Sequence, residues 1–150
     1  MGHVEGIFVA PAEGAPMTEL SEVMAVAGRG LEGDRYWAGE GKFSPKPGAR
    51  SLTLIEAEAI EALAHESKIE LMPGETRRNI VTRGVALNHL VGKEFTVGGV
   101  PMRGIKLCEP CNYLEEVTGR AGIRAGLIHR GGLRVELLGD GMIRKGDPIA

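Results

Sequence analysis

Phe95-Thr96-Val97-Gly98-Gly99-Val100-Pro101-Met102-Arg103-Gly104-Ile105-Lys106-Leu107 runs straight into Cys108-Glu109-Pro110-Cys111-Asn112-Tyr113-Leu114. Two β-branched, apolar runs (Phe95 to Val97 and Val100 to Leu107) flank Gly98-Gly99. That dipeptide suits a two-residue hairpin turn, which needs positive φ at both central positions. The second strand delivers a C-x-x-C motif at its end, and a short helical pattern follows from Cys111 to Thr118. Pro110 suits the first helical position, where its missing N–H is no loss. The spacing therefore predicts Cys111 in the first turn of a helix, where the helix dipole favours the thiolate.

Working outward, Gly6 to Ala10 reads as a first strand ended by Pro11, and Val23 to Ala27 as a second. From Gly28 to Gly48 glycines and prolines break every period, so the segment is predicted to be loop. A loop near this length in a compact domain is usually functional or mobile. Asp34, Arg35, Tyr36 and Trp37 equip it to close over a ligand as a lid beside a pocket; the alternative is a surface loop that touches no ligand. Asp34-Arg35 by itself reads as a local loop ion pair, and the surrounding glycines do not open a helix, so no dinucleotide fingerprint is present. Ser51 to Leu54 alternates into a strand. Glu56 to Glu66 is the clearest helix, with Ala57, Ile60, Leu63 and Ala64 at helical spacing. Asn79 to Thr82 is a short strand, and Arg120 to Ile128 a glycine-interrupted helix. Leu133 to Leu138 and Met142 to Arg144 flank Gly139-Asp140-Gly141, which reads as another hairpin. Together these predict one domain over residues 1–150: α+β, mainly antiparallel and barrel-like, with a few short helices.

The chain has 150 residues, 43% hydrophobic and 25% charged, an ordinary balance for a soluble globular protein. Its formal net charge of −2 supplies no global field for nucleic acid or anionic membranes, and only 4% aromatic residues argues against base stacking. The 23 glycines point to tight turns and short strands. No apolar run has the length of a membrane span, and the N-terminus has no signal-peptide pattern. A cytoplasmic protein with reduced thiols is the natural expectation.

Charge is unevenly distributed. Thr76 to Lys93 contains Arg77, Arg78, Arg83 and Lys93 but no acid. Val117 to Val135 contains Arg120, Arg124, His129, Arg130 and Arg134, again without an acid, and Arg103 and Lys106 precede the cysteines. Acid-free basic patches in an acidic protein suggest a local anion site, most simply for phosphate. Arg77 and Arg78, read as exposed, are expected to matter little for stability. His129, after Leu127-Ile128, reads by default as a half-buried histidine. The C-x-x-C itself admits a buried structural pair, a thiol–disulfide redox pair, or a ligand for a soft metal. A thioredoxin-type motif belongs after an early strand of a βαβ unit, which is missing here. Structural zinc needs two more ligands at readable spacing, which the four histidines do not offer.

As an ordered set these motifs resemble the MOSC domain family, the molybdenum-cofactor sulfurase C-terminal domain, in its small stand-alone bacterial form. The resemblance runs from the opening strand Val4 to Ala10 through Gly30-x-x-Gly33-Asp34-Arg35, Ser51 to Glu56, Arg77-Arg78-Asn79-Ile80 and Leu90-Val91-Gly92. It continues through Cys108 to Cys111 and closes with Gly132 to Val135 and Ile143 to Asp147. It implies a barrel-like fold and binding of molybdopterin, the pterin-based molybdenum cofactor. Cys111 would be the molybdenum ligand or sulfur carrier, and Arg77 and Asn79 would stand in the family's R-x-N element at the pterin phosphate. Arg78, between them, departs from that element, so either arginine is a candidate for the phosphate. Joined to the basic patches, the expected cofactor contacts are Arg77, Arg78, Asn79, Arg103, Lys106, His129 and Arg130. At family level only, the resemblance also carries an association with pyridoxal phosphate. Two activities follow as expectations: a molybdenum-dependent oxidoreductase of N-hydroxylated compounds, which needs a separate electron donor, or a carrier working with a cysteine desulfurase or a molybdoenzyme. The alternative of another class is a thiol–disulfide redox protein using Cys108 and Cys111.

Overall fold

The structure, a computed structural model, describes residues 2–12, 14–35, 37, 52–109, 115, 118, 119 and 121–150. Its strands are β1 (Gly2–Val9), β2 (Thr18–Leu20), β3 (Glu22–Val26), β4 (Gly30–Leu31), β5 (Leu52–Glu56), β6 (Ile80–Arg83), β7 (Glu94–Val97), β8 (Val100–Leu107), β9 (Leu133–Leu137), β10 (Gly141–Arg144) and β11 (Pro148–Ile149). Among the described elements two short helices, α1 (Ala57–Ser67) and α2 (Ile123–Gly126), and two 3-10 turns (Pro73–Thr76, Leu87–Leu90) accompany the strands.

The main sheet closes on itself. Its order is β11-β7-β8-β9-β5-β6-β1-β2, and β11 also pairs with β1, which makes a seven-strand barrel with β2 outside the ring. All neighbours are antiparallel except β5 and β6, which run parallel from Leu54↔Ile80 to Glu56↔Thr82. Closure removes the exposed edges that so many short strands would otherwise present. The predicted barrel-like α+β architecture is the observed one.

Strand alternation sorts side chains between two cores. Val4, Ile7, Leu52, Leu54, Ile80, Met102, Leu133 and Val135 fill the barrel. Phe8, Ile55 and Val81 face outward under Ile60 and Leu63 of α1 and Ile123 and Leu127 beyond it. Burying a side chain such as Leu63 contributes roughly 1.5–3 kcal/mol, so α1 is held by this stripe more than by its propensity. Glutamates at its start and within it tie it to the end of β6 and the chain that follows. Glu56 accepts from the Leu87 N–H at 3.0 Å, Glu58 from the Gly84 N–H at 2.9 Å, and Glu61 from Arg83 at 2.6 Å.

The hairpin around Gly98-Gly99 forms as expected, with φ of 58° and 82° at the two glycines. The expected hairpin around Gly139-Asp140-Gly141 does not form. Both sides of β9 are already occupied, by β8 and β5, so the chain leaves the barrel and β10 pairs instead with β3 in a small sheet with β4. That sheet also corrects the start of the long predicted loop, because Gly30 and Leu31 pair with Val26 and Ala25. The helix expected over Arg120 to Ile128 is reduced to α2, whose start at Gly122 has φ 92° and whose first amides are met by the Glu115 carboxylate. Most of the helix expected after Cys111 and most of the candidate lid, 38–48 with Tyr36, lie outside the described residues. No helix among the described residues is long and apolar enough to cross a membrane.

Candidate functional site

Three chain segments meet where β8 ends and β9 and β6 begin. The Cys108 N–H donates to the Gly132 carbonyl at 2.7 Å, continuing the β8–β9 ladder past Leu107. Arg78, two residues before β6, spans both segments. Its Nε donates to the Gly131 carbonyl at 2.7 Å and an Nη donates to the Cys108 carbonyl at 2.9 Å. Gly132 makes this approach possible. It has φ 118°, and a Cβ there would land on the Leu54 carbonyl oxygen and close to Arg78 Nε. The Cys108 thiol is buried and is not in a disulfide. Arg134 Nη2 donates to its Sγ at 3.5 Å, and Arg134 is itself only 6% exposed. Two guanidinium groups thus converge on the first cysteine of the C-x-x-C. Cys111 and Pro110, on which the reading of an activated thiolate rests, lie outside the described residues.

Arg77 and Arg78 are not the exposed pair that the sequence suggested. Arg77 is 6% exposed and takes φ 62° at the end of the 3-10 turn, a left-handed conformation unfavourable for a side-chain-bearing residue. Its Nη1 donates to the Ala15 carbonyl at 2.6 Å, and its own carbonyl accepts from Arg35 at 3.0 Å. Arg35 also bonds Asp34 at 3.0 Å, as the local ion pair predicted, and the same Asp34 oxygen accepts the Ala10 N–H. Both residues are buried, so the pair fastens the end of β1 to the arginine segment. Asn79 is fully buried, and its amide is engaged by main chain. Its Oδ1 accepts from the Thr53 N–H at 3.1 Å and the Thr53 hydroxyl at 3.3 Å, while Nδ2 donates to the Phe8 carbonyl at 3.1 Å.

The remaining candidates stand on the surface, and three of them, Arg103, Arg130 and His129, stand beside carboxylates. Arg103 bonds Glu94 at 2.7 Å, and that bond raises its pKa. Arg130 bonds Glu66 at 2.6 Å, with the same effect on Arg130 and a lowered pKa at Glu66. Lys106 is exposed on β8, cross-strand from Arg134. His129 is exposed rather than half-buried, with a side chain 76% accessible. It sits at φ 64°, and both its main-chain N–H and its Nδ1 meet the Glu109 carboxylate, at 2.7 and 2.9 Å. That contact ties the turn after α2 to the middle of the C-x-x-C.

Arg134 and Arg35 were not singled out as cofactor contacts by the sequence. Arg134 alternates with Leu133 and Val135, the pattern of a charge on a solvated strand face. The signal available was that a run of three arginine-bearing segments shared no acid; which of them are buried is decided by packing.

A cavity of about 660 Å³ opens on the outer face of β1 and β6. Arg77 lines it on one side of the dipeptide whose other member, Arg78, reaches Cys108. Thr118, from the segment after the C-x-x-C, lines it too.

The MOSC domain model matches residues 29–150. No curated protein sequence matches the chain. Solved structures do. The YuaD protein from Bacillus subtilis superposes with a TM-score of 0.82 at 15% identity, covering 99% of this chain and 94% of that one. YiiM from Geobacillus stearothermophilus gives 0.74 at 12% identity, over 100% and 74% of the two chains. YiiM from Escherichia coli gives 0.68 at 17% identity, over 99% and 68%. At such identities the structural likeness establishes the barrel. With a model match extending from the loop before β4 to the last residue, through the arginine segment and the C-x-x-C, the chain belongs to the MOSC domain family, which is associated with molybdenum-cofactor binding and sulfur carriage.

Proposed function

We propose that this chain binds molybdopterin, with Cys111 as molybdenum ligand or sulfur carrier. The observation that carries the reading is the convergence of Arg78 and Arg134 on Cys108, three residues before Cys111. When bound, the cofactor supplies a metal held by dithiolene sulfurs, for which a protein thiolate is a suitable soft ligand. The residues present fit such a group in their donor chemistry. Guanidinium forks suit a phosphate, and they gather at the strand end that delivers the cysteines.

In this reading Arg77, Arg78 and Arg134 hold the phosphate. Arg78 also fixes the main chain at Cys108 and Gly131, so the start of the cysteine segment is positioned by the same residue. Asn79 acts one step back. Its amide braces Thr53 and Phe8 and so sets the register at which Arg77 and Arg78 enter β6. Arg103, Arg130 and His129 face Glu94, Glu66 and Glu109, which reduces what they and the exposed Lys106 add to the positive field. A reductase of N-hydroxylated compounds would draw on a separate electron donor. A carrier would exchange sulfur or cofactor with a cysteine desulfurase or a molybdoenzyme.

The test is metal and pterin analysis of protein made in a host with intact cofactor synthesis. Wild-type protein should carry both. A charge-assisted contact contributes about 1.5–3 kcal/mol, so Arg78→Ala should retain roughly tenfold less cofactor or worse, and Arg78→Lys should not restore it, because an ammonium cannot make the fork. Cys111→Ser should keep pterin and lose turnover if the role is catalytic. If the role is carriage, wild-type protein incubated with a cysteine desulfurase should gain one sulfur at Cys111 by mass spectrometry. Metal-free, pterin-free protein with full dithiol-dependent activity would overturn the reading in favour of disulfide exchange by Cys108 and Cys111.

A further inference from the structure

We propose that Cys108 is a resolving thiol: it supplies the electrons with which a sulfur carried on Cys111 leaves as sulfide. This role rests on the sulfur-carrying branch of the function proposed above and gives the first cysteine of the C-x-x-C a part in it. A cysteine desulfurase hands over sulfur as the outer atom of a persulfide. Sulfide is two electrons more reduced than that atom. A carrier with one thiol takes the two electrons from another molecule. A carrier with a second thiol beside the first holds them itself.

The surroundings of Cys108 suit a resolving thiol and not the carrying one. The residue is 5% exposed, so its sulfur cannot be presented to another protein. Its thiol is not in a disulfide. Both of its main-chain groups are held, the N–H by the Gly132 carbonyl at 2.7 Å and the carbonyl by Arg78 at 2.9 Å. Arg134 Nη2 donates to Sγ at 3.5 Å from a side chain nearly as buried as the thiol. The sulfur is thereby kept in one place and shielded from thiols and oxidants in solution, which leaves it to react with a neighbour in the chain. Spacing names that neighbour. Cys108 and Cys111 end a four-residue stretch, and a turn over four residues brings its end Cα atoms within about 7 Å, the upper end of what a disulfide bridges. Glu109, inside the stretch, is anchored by the His129 N–H and Nδ1.

The step balances. Cys108 Sγ attacks Cys111 Sγ, the inner sulfur of the persulfide. A bond forms between the two Sγ atoms. The bond from Cys111 Sγ to the outer sulfur breaks, and its electron pair leaves with the outer sulfur. The proton of the Cys108 thiol leaves on it as hydrosulfide. The outer sulfur is reduced by two electrons, and the cysteine pair is oxidised to a disulfide. An external dithiol returns the pair to thiols by exchange.

The test follows the added sulfur through time. The full chain, as purified, is reduced, freed of reductant and loaded by an immobilised cysteine desulfurase with cysteine; enzyme and cysteine are then removed. Samples quenched by alkylation are mapped by mass spectrometry, and sulfide is assayed in parallel. Wild-type protein should first carry one added sulfur on Cys111, then release one sulfide per chain as a Cys108–Cys111 disulfide forms. Cys108→Ser keeps an acceptor for Arg134 but removes the attacking sulfur. Its added sulfur should persist, with sulfide release slower by about tenfold or more because the intramolecular attack is lost, and an added thiol should restore release. Cys108→Ala should behave alike, and cooperative thermal unfolding of both variants confirms that the folded state is being measured. Release at the wild-type rate in both variants, release from wild type without the disulfide, or sulfur loaded on Cys108 overturns the proposal. A persulfide on wild-type Cys111 as long-lived as in Cys108→Ser overturns it too and leaves sulfur carriage standing. If neither cysteine gains sulfur, carriage falls and the resolving role with it. Molybdenum and pterin content, measured on the same samples, reports separately on metal ligation.

Discussion

Replacing Asn79 by alanine separates a brace from a ligand contact. The side chain is fully buried and makes three hydrogen bonds that alanine cannot make: two accepted from Thr53 and one donated to Phe8. At about 1 kcal/mol for each bond, the loss is about 3 kcal/mol, and more if the Phe8 carbonyl or Thr53 N–H is left unsatisfied in the protein interior. For a chain of this size that corresponds to a fall in the thermal midpoint of roughly 6–12 °C. Asn79→Asp keeps the acceptor but buries a charge and loses the donor, so it should be at least as damaging. Thr53→Val removes only the hydroxyl and should cost less, about 1 kcal/mol. Because the two residues share bonds, the double variant should be less destabilised than the sum, by about 0.5 kcal/mol or more. Urea denaturation of wild type and the four variants, followed by circular dichroism, measures all of this. If Asn79→Ala stays within 0.5 kcal/mol of wild type, a margin on the order of ordinary surface substitutions, while cofactor retention is lost, the bracing argument is refuted and the amide is a direct contact.

Two further expectations rest on backbone approach and on charge. Gly132→Ala and Gly104→Ala would each drive a Cβ into a carbonyl oxygen, of Leu54 and Leu90 respectively, and should cost about 4 kcal/mol or more; Gly126→Ala meets side-chain atoms, of Leu63 and Ser67, and should cost less, a ranking that melting curves decide. Glu5 and Glu61 are held below their ordinary carboxylate pKa by bonds to Arg83, and Glu66 by its bond to Arg130, so the unfolded chain binds more protons there. Their contribution is present above the ordinary value of 4.5 and is lost as pH falls below it through the lower folded values. Glu56, raised by burial, acts in the opposite direction. Arg83→Gln should therefore flatten the acid limb of a stability profile measured from neutral pH downward; an unchanged limb would remove Arg83 as its cause.

Much of the fold is local in origin. Gly98-Gly99 between β-branched runs sufficed for the β7–β8 hairpin, and the spacing of Ala57, Ile60 and Leu63 sufficed for α1, because turn conformation and helical periodicity are properties of neighbouring residues. The ordered motifs, each weak, sufficed for the family. What the sequence alone did not decide was partnership across the chain. Gly139-Asp140-Gly141 carries a proper turn signal, yet β10 pairs with β3, because β8 and β5 already occupy both edges of β9. Arg77, Arg78 and Arg134 look alike as letters. Burial and hydrogen-bond partners make Arg77 a wall of a cavity and Arg78 a clamp on Cys108, and place Arg134 against its thiol, and those depend on residues 26 to 62 positions away. A side chain's charge is fixed by its own chemistry; the groups that answer it are chosen only when the barrel closes.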